Sequence, residues 1–338
     1  METVFLLSIL ASFVLAIFLF PRWIKKCRRI GFLWEDMNKF RHPKRVASSG
    51  GIVTVMAFII GVLIYIAGIT FTIGPESRIS LEIFALLTTI LILAIIGFVD
   101  DLFGWRHGGL SIRFRLFLSF VASIPLIVIN AGTHVVEMPF IGVVDIGLIY
   151  PLFLIPIGVI GATTTYNFLA GFNGLEAGQG IIIISFLSFV AYATGKPWLA
   201  AVGLCIVASL IAFYIFNRHP AKIFPGDSLT YPIGGIIATM AILGNFERIA
   251  VFVFIPYIAE TFLKLRGRLR KQSFALPQRD GSLKMPYKKI YGLTHLSLFI
   301  LKRFKKKVYE KDIVYFIFAI QLLLVMLALI IFREVLFK

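Results

Sequence analysis

The sequence predicts an all-α, polytopic membrane protein with about ten transmembrane helices. Of its 338 residues, 59% are hydrophobic and 15% are charged, whereas soluble globular chains are about 45–50% apolar and about 25% charged. Long apolar runs recur along the whole chain, and a helix needs about 20 such residues to cross the hydrocarbon core. Together these observations favour one helical bundle, a single domain over residues 1–338, and they exclude a soluble enzyme.

Ten apolar runs are candidate spans. Turn residues at 194–197 and at 244–248 separate runs that would otherwise merge, because Gly, Pro and Asn there interrupt the apolar pattern. The predicted spans cover residues 2–21, 49–72, 79–99, 112–130, 146–168, 179–194, 197–216, 229–245, 248–264 and 312–332.

Lysine and arginine collect in alternate loops. Of the 34 basic residues, 29 fall within 22–45, 100–115, 217–228 and 264–311, which share one side if the spans alternate in direction. Cytoplasmic loops carry such an excess, so the pattern predicts that this side is cytoplasmic and that both termini lie outside. We expect 265–311 to be a basic cytoplasmic loop between the last two spans. The net charge of +17 then has a membrane explanation, and no nucleic-acid partner is expected.

Polar clusters end three of the predicted spans on this side. They are Asp100 with Asp101, Asn167 with Asn173, and Asp227. Carboxylates at the edge of the hydrocarbon are costly to place there without a partner. Carboxylate and amide oxygens suit a hard divalent cation, which also binds phosphate groups of substrates. The sequence therefore predicts a cytoplasmic-face active site for a divalent metal and a phosphate-bearing substrate.

Each cluster also has a purely structural explanation. Asp100 and Asp101 could cap a helix or form an interfacial ion pair, and Asn167 and Asn173 could end a helix, since Asn and Gly both do so. Asp227 could cap the helix that follows it. It is their joint position on one side that favours a functional site.

These motifs resemble those of the polyprenyl-phosphate N-acetylhexosamine-1-phosphate transferase family, above all its branch that uses dolichyl phosphate and N-acetylglucosamine. The resemblance covers nearly the whole chain. It is carried by Asp36-Met-Asn-Lys39, Asp100-Asp101 with Trp105-Arg106-His107, Asn167 with Asn173-Gly-Leu-Glu-Ala-Gly-Gln179, Phe224-Pro-Gly-Asp227 and Gly281-Ser-Leu-Lys-Met-Pro-Tyr287.

The resemblance implies a ten-helix transferase, a possible homodimer, that moves N-acetylglucosamine 1-phosphate from UDP-N-acetylglucosamine to dolichyl or polyprenyl phosphate. UMP leaves, and the lipid-diphospho-sugar starts N-glycan or related glycolipid assembly. The alternatives are another UDP-N-acetylhexosamine, a bacterial-type polyprenyl phosphate or, outside this chemistry, a lipid or nucleotide-sugar transporter. The short loop 265–311 favours an archaeal cell membrane over an endoplasmic reticulum.

Position by position, the resemblance also implies roles. Asn167 and Asp227 would hold Mg²⁺, or Mn²⁺, while Asn173 would hydrogen-bond uracil and Phe224 would stack on it. Asp100 and Asp101 would form the catalytic pair that orients or deprotonates the lipid phosphate, and which of the two does what stays open. For Asp101, the role of nucleophile stays open as well.

The remaining substrate-binding candidates come from basic and aromatic positions. Arg115 stands where the resembling family has a phosphate-binding Lys, and Trp105 follows the aspartate pair. Arg270, Lys271 and Gln272 stand where the eukaryotic members have Arg-His-Arg, so the loss of charge at Gln272 leaves the sugar open.

Overall fold

A computed structural model of the chain describes residues 2–72, 74, 77–138 and 142–337, and within these ranges it is mostly helical. The helices are α1 (Glu2–Ile30), α2 (Gly50–Thr72), α3 (Ser77–His107), α4 (Ile112–Val128), α5 (Ile155–Phe168, after a π-helical turn at Tyr150–Leu154), α6 (Leu175–Ala193), α7 (Pro197–Asn217), α8 (Asp227–Gly244), α9 (Glu247–Val253), α10 (Ile255–Arg266), α11 (Leu293–Leu301), α12 (Glu310–Ile331) and α13 (Arg333–Leu336).

In the described part of the chain, seven of these helices are long and apolar enough to cross a membrane. They are α1, α2, α3, α5 with its π-helical turn, α6, α7 and α12. The prediction of a multi-pass membrane protein is therefore confirmed at this level.

The other three predicted spans also fall on helices, but these are shorter or interrupted. Helix α4 has 17 residues and α8 has 18. The run at 248–264 is divided between α9 and α10 at Phe254. Pro256 at the start of α10 lacks the N–H that a continuous helix would need. Helices thus occur at all ten predicted places, while the membrane crossing of these three stays a prediction.

The all-α expectation is incomplete, because three short antiparallel hairpins join the helices. They pair β1 (Leu33–Glu35) with β2 (Lys44–Ala47), β3 (Val135–Met138) with β4 (Gly142–Asp145), and β5 (Leu276–Pro277) with β6 (Leu283–Lys284). Strands of two to four residues are too short to show a two-residue period in the sequence.

Helix α8 lies at the centre of the bundle, and its residues from Ser228 to Gly244 are all buried. It packs against α2, α3 and α5. A Cβ atom at Gly97 on α3 would lie 2.2 Å from the carbonyl oxygen of Asp227, and one at Gly51 on α2 would lie 2.2 Å from the nitrogen of Leu229. These two glycines therefore allow the first turn of α8 to touch the backbones of both neighbours.

The loops predicted to share the cytoplasmic side are in contact with one another. The N–H of Ala47 donates to the carbonyl of Lys222 at 3.3 Å. The Asn38 amide donates to the carbonyl of Gly171 at 2.7 Å and accepts from the N–H of Ala275 at 3.3 Å. At the opposite end of the bundle, the Lys196 ammonium donates to the carbonyl of Leu243. This grouping agrees with spans that alternate in direction.

The segment 265–311 is folded rather than extended. It contains the β5–β6 hairpin and α11, and it buries Leu283, Leu298 and Val308. The N–H of Leu283 donates to the carbonyl of Val308 at 2.8 Å. The segment therefore forms a fixed part of the loop side of the bundle, where its residues can contribute to a site.

Candidate active site

A cavity of about 630 Å³ opens on the loop side of the bundle, at the start of α8. It brings together residues of four different helices, α3, α4, α5 and α8, and of two loops. The predicted site residues that line it are Asp100, Asp101, Arg115, Asn167, Phe224, Asp227 and Gln272.

Asp101 holds the start of α8 in place. Its Oδ1 accepts the N–H of Asp227 at 2.7 Å, and its Oδ2 accepts the N–H of Ser228 at 3.3 Å and the hydroxyl of Ser49 at 2.7 Å. The first N–H groups of a helix have no partner within the helix and favour a negative charge. Asp101, on the neighbouring helix α3, supplies the missing hydrogen-bond acceptors and a negative charge. A Cβ at Gly226 would lie 2.1 Å from its Oδ2, so only glycine leaves room for this contact.

Asp100, one residue earlier, faces a different group of partners. Its Oδ2 accepts a hydrogen bond from the Arg115 guanidinium at 3.1 Å, and its Oδ1 accepts the N–H of Leu110. The same guanidinium nitrogen lies 3.6 Å from Oδ2 of Asp227 and 3.4 Å from the hydroxyl of Tyr231. Arg115 is thus shared between two carboxylates of the cavity.

The cavity consequently carries more negative than positive charge around Arg115. Three carboxylates, those of Asp100, Asp101 and Asp227, surround the start of α8, and Asp100 and Asp101 are over nine-tenths buried. Carboxylates packed this closely repel one another unless a cation compensates them. The site therefore suits a cation in addition to the guanidinium.

Asn167, at the end of α5, points at the same face of α8. The hydroxyl of Thr230 donates to its amide oxygen at 3.1 Å, and Thr230 lies one helical turn beyond Asp227, so both side chains share a face. Amide and carboxylate oxygens are ligands that Mg²⁺ accepts. Among the described residues no group of three His, Cys, Asp or Glu side chains forms a metal site, so a metal here would rest on a mixed amide and carboxylate set.

Phe224 is fixed at the cavity through its backbone. Its N–H donates to the carbonyl of Ala47 at 2.8 Å, and its own carbonyl accepts the N–H of Gly50 at 2.9 Å. The turn that carries Phe224 and Asp227 is therefore tied to the segment between β2 and α2.

Residues that sequence reasoning missed form the facing wall. Trp34, Glu35 and Lys44 of the β1–β2 hairpin line the cavity, as does Met37 in its loop. Glu35 and Lys44 are register partners across the two strands. The sequence did offer one signal, because these residues lie in or beside the motif Asp36-Met-Asn-Lys39. That motif carried the family resemblance, but it was given no role in the site. Glu176, which also lines the cavity, lies within the motif from Asn173 to Gln179 but was given no role, whereas Thr230 and Phe274 belong to none of the motifs.

Comparison of the sequence with known proteins identifies the family of this chain. The sequence profile described as glycosyl transferase family 4 matches residues 83–245. A protein of Saccharolobus solfataricus, provisionally named UDP-N-acetylglucosamine–dolichyl-phosphate N-acetylglucosaminephosphotransferase, is 33% identical over 91% of this chain and 91% of its own length.

The chain belongs to glycosyl transferase family 4. Two further relatives show how far the likeness extends. The UDP-N-acetylglucosamine–dolichyl-phosphate N-acetylglucosaminephosphotransferase of Dictyostelium discoideum is 30% identical over 66% of this chain and 62% of its own length. The phospho-N-acetylmuramoyl-pentapeptide-transferase of Halalkalibacterium halodurans is 28% identical over 77% of this chain and 81% of its own length.

Membership of glycosyl transferase family 4 confirms the family resemblance and the expectation of a transferase enzyme. The matched region, residues 83–245, contains Asp100, Arg115, Asn167 and Asp227. The polar residues that meet in the cavity thus lie inside the part of the chain that the family profile describes.

Four predicted site residues lie outside the lining of the cavity in this family 4 protein. Asn173 is 4% exposed, and its amide donates to Oδ2 of Asp36 at 3.2 Å. The Lys271 ammonium lies over the ring of Tyr287, 4.9 Å from its centroid. The Trp105 ring packs on Phe32 at 5.1 Å, and Arg270 is exposed. Their predicted roles as substrate-binding residues stay predictions.

Proposed function

We propose that this protein transfers N-acetylglucosamine 1-phosphate from UDP-N-acetylglucosamine to dolichyl phosphate or a related polyprenyl phosphate, with release of UMP. The observation that carries the proposal is the meeting of Asp100, Arg115, Asn167 and Asp227 in one cavity at the end of the bundle. Two relatives bear the name of this activity. The product, a lipid-diphospho-sugar, would start the assembly of an N-glycan or a related glycolipid.

The proposal places the cavity at the cytoplasmic face of a cell membrane. The basic loops 22–45, 100–115, 217–228 and 264–311 surround the cavity end of the bundle, and positive loops stay in the cytoplasm. Ten spans then leave both termini outside. The position at the membrane edge suits a reaction between a lipid headgroup and a water-soluble nucleotide. A homodimer belongs to the same proposal, and the mass of the detergent-solubilised protein tests it.

Asn167 and Asp227 are the proposed ligands of a divalent cation, Mg²⁺ or Mn²⁺. They approach from facing helices, and the three carboxylates around Arg115 leave negative charge for a cation to compensate. When bound, such a cation would neutralise the diphosphate of the donor and stabilise the charge that develops on UMP.

The chain's own groups supply positioning and charge. Arg115 binds phosphate oxygens where the diphosphate of the donor meets the phosphate of the lipid. Phe224 offers an aromatic face to the base of the donor. Asp100 orients the lipid phosphate, whose second pKa of about 6 means that little help from a base is needed. Because the Asp101 oxygens are occupied by α8 and Ser49, we assign Asp101 an orienting role. The attacking atom is then an oxygen of the lipid phosphate, with no covalent enzyme intermediate.

UMP release is the direct test. Purified protein receives UDP-N-acetylglucosamine, dolichyl phosphate and Mg²⁺, in detergent and in lipid, with omission of each component in turn. We expect release that requires the lipid and the metal. Other UDP-N-acetylhexosamines and a bacterial-type polyprenyl phosphate, offered in parallel, establish the preferred pair. If no substrate pair gives UMP release and vesicles take up intact UDP-sugar, the proposed transferase function would be refuted in favour of a transporter.

A further inference from the structure

A buried carboxylate outside the cavity connects three distant parts of the chain. Glu310, the first residue of α12, is 3% exposed. Its Oε1 accepts the N–H of Asn173 at 2.7 Å, and its Oε2 is in direct contact with the Lys39 ammonium. The loop of the β1–β2 hairpin, the turn after α5 and the start of α12 therefore meet at this side chain.

A second carboxylate completes the arrangement. Oδ2 of Asp36 accepts the Asn173 amide at 3.2 Å and lies 3.8 Å from the Lys39 ammonium. We call Asp36, Lys39, Asn173 and Glu310 the Glu310 cluster. His219 lies 3.6 Å from Glu310, but burial lowers the pKa of its imidazole. At neutral pH the Lys39 ammonium is thus the cation that faces both carboxylates.

The Glu310 cluster lies directly behind one wall of the cavity. Met37 follows Asp36 in the chain, and Phe172 precedes Asn173, and both of these neighbours line the cavity. The position of Met37 and Phe172 therefore depends on backbone that the Glu310 cluster holds. We call these two residues the Met37–Phe172 wall.

Under the proposed function, we assign this wall to the nucleoside of the donor. The proposed phosphate-binding groups Asp100 and Arg115 belong to α3 and α4, and the N–H of Leu110 donates to Asp100. Leu102 and Phe103, which follow Asp100 and Asp101 on α3, are apolar and are 39% and 47% exposed. This exposed apolar surface of α3 suits the acceptor lipid, so we assign the Met37–Phe172 wall, together with Phe224, to the base and ribose of the donor.

We propose that Glu310 is a positioning residue for the nucleotide half of the UDP-sugar. Its carboxylate holds Lys39 and the backbone of Asn173, and through them it fixes the Met37–Phe172 wall. This inference rests on the proposed function, since it takes a uridine diphosphate sugar as the donor. A buried charged pair is costly to break when one partner is removed, so a change at Glu310 displaces the wall rather than leaving it in place.

The test compares Glu310→Gln with Asp312→Asn. Asp312 lies two residues further along α12 and pairs with Lys305 at the surface at 2.7 Å. It is a matched control, because both variants remove one carboxylate from the first turn of the same helix. The measurements are KM for UDP-N-acetylglucosamine, KM for dolichyl phosphate, kcat, UDP binding by calorimetry and the thermal unfolding midpoint.

For Glu310→Gln we expect KM for the UDP-sugar and Kd for UDP to rise about tenfold, as the loss of one charge-assisted hydrogen bond implies. KM for the lipid and kcat should stay within about twofold of wild type. Lys39→Met should reproduce the rise, and Glu310→Asp should recover part of it. Asp312→Asn should leave both nucleotide constants at the wild-type value.

Two outcomes would overturn the inference. Equal nucleotide constants in Glu310→Gln and Asp312→Asn would show that the carboxylate does not act on the nucleotide. A uniform fall in kcat with a lower unfolding midpoint, and no selective rise for the nucleotide, would reduce Glu310 to a stabilising residue. Failure of wild-type protein to bind UDP or release UMP would instead refute the proposed function, so the two failures are distinguishable.

Discussion

Replacement of Asp101 by Asn distinguishes a residue that positions α8 from one that performs chemistry. Asp101 is 8% exposed and accepts hydrogen bonds from Asp227, Ser228 and Ser49. Asparagine keeps a single acceptor oxygen and turns an NH₂ group toward donors that previously faced a carboxylate. At least one buried donor at the start of α8 then loses its partner.

The cost follows from these contacts. An unsatisfied buried donor costs about 1–3 kcal/mol, and a hydrogen bond to a charged group contributes about 1.5–3 kcal/mol. Relief of repulsion between Asp101 and its carboxylate neighbours offsets part of this loss. We expect Asp101→Asn to lower the free energy of unfolding by about 2 kcal/mol, which lowers the unfolding midpoint of a chain of this size by about 3 °C.

Asp100→Asn is the matched control, because asparagine can still accept the N–H of Leu110 there and Arg115 keeps Asp227 as a carboxylate partner. We expect its unfolding midpoint to stay near wild type while kcat falls about 100-fold or more. Thermal unfolding in detergent and UMP release, measured on both variants, decide between them. A stable Asp101→Asn protein that loses only kcat would refute the positioning role, and it would restore Asp101 as a candidate base or nucleophile.

Asp227→Asn and Asn167→Ala should each abolish Mg²⁺-dependent turnover in a folded protein, and wild-type rates in either would remove the metal assignment. Gly97→Ala should cost about 1–3 kcal/mol of stability, since its Cβ meets the backbone of α8, and an unchanged unfolding midpoint would contradict that close contact. Lys44→Met should raise KM for one of the two phosphate-bearing substrates, UDP-N-acetylglucosamine or dolichyl phosphate. Lys222→Met, at a residue outside the cavity lining, should leave both KM values unchanged. Equal KM values in these two variants would exclude Lys44 from the site.

The positions of the helices could be predicted because apolar length is a local property of the sequence. Each run had to satisfy its backbone hydrogen bonds internally, so long apolar segments become helices regardless of their neighbours. The break at Phe254 was less accessible. Residues 248–264 are apolar enough to suggest one span, and the effect of Pro256 on it depends on how α9 and α10 pack.

Part of the candidate site was also accessible to the sequence. Asp100, Asn167 and Asp227 were identified from their places at the ends of predicted spans, and the structure brings them to one cavity. The place of a residue at the end of a span does not reveal the direction in which its side chain points. Asn173 belongs to the most specific motif, yet its amide points to Asp36, a contact between positions 137 residues apart.

The facing wall was missed for a related reason. Trp34 and Lys44 belong to strands of three and four residues, which give no periodic signal. They reach the cavity through the tertiary position of the hairpin, which is fixed in part because Phe224 pairs with Ala47 at the end of β2.

The contact between Glu310 and Lys39 also bears on how the protein is made. Synthesis runs from Asp36 toward Glu310, so Asp100, Arg115, Asn167 and Asp227 are all in the membrane before α12 leaves the ribosome. Until then the Lys39 ammonium has only Asp36 as an acidic partner among the members of the Glu310 cluster. The residues proposed for the reaction are thus synthesised early, whereas the wall proposed for the donor is completed by α12. On the proposed role of Glu310, competence to bind the nucleotide would therefore arise only after α12 has been synthesised.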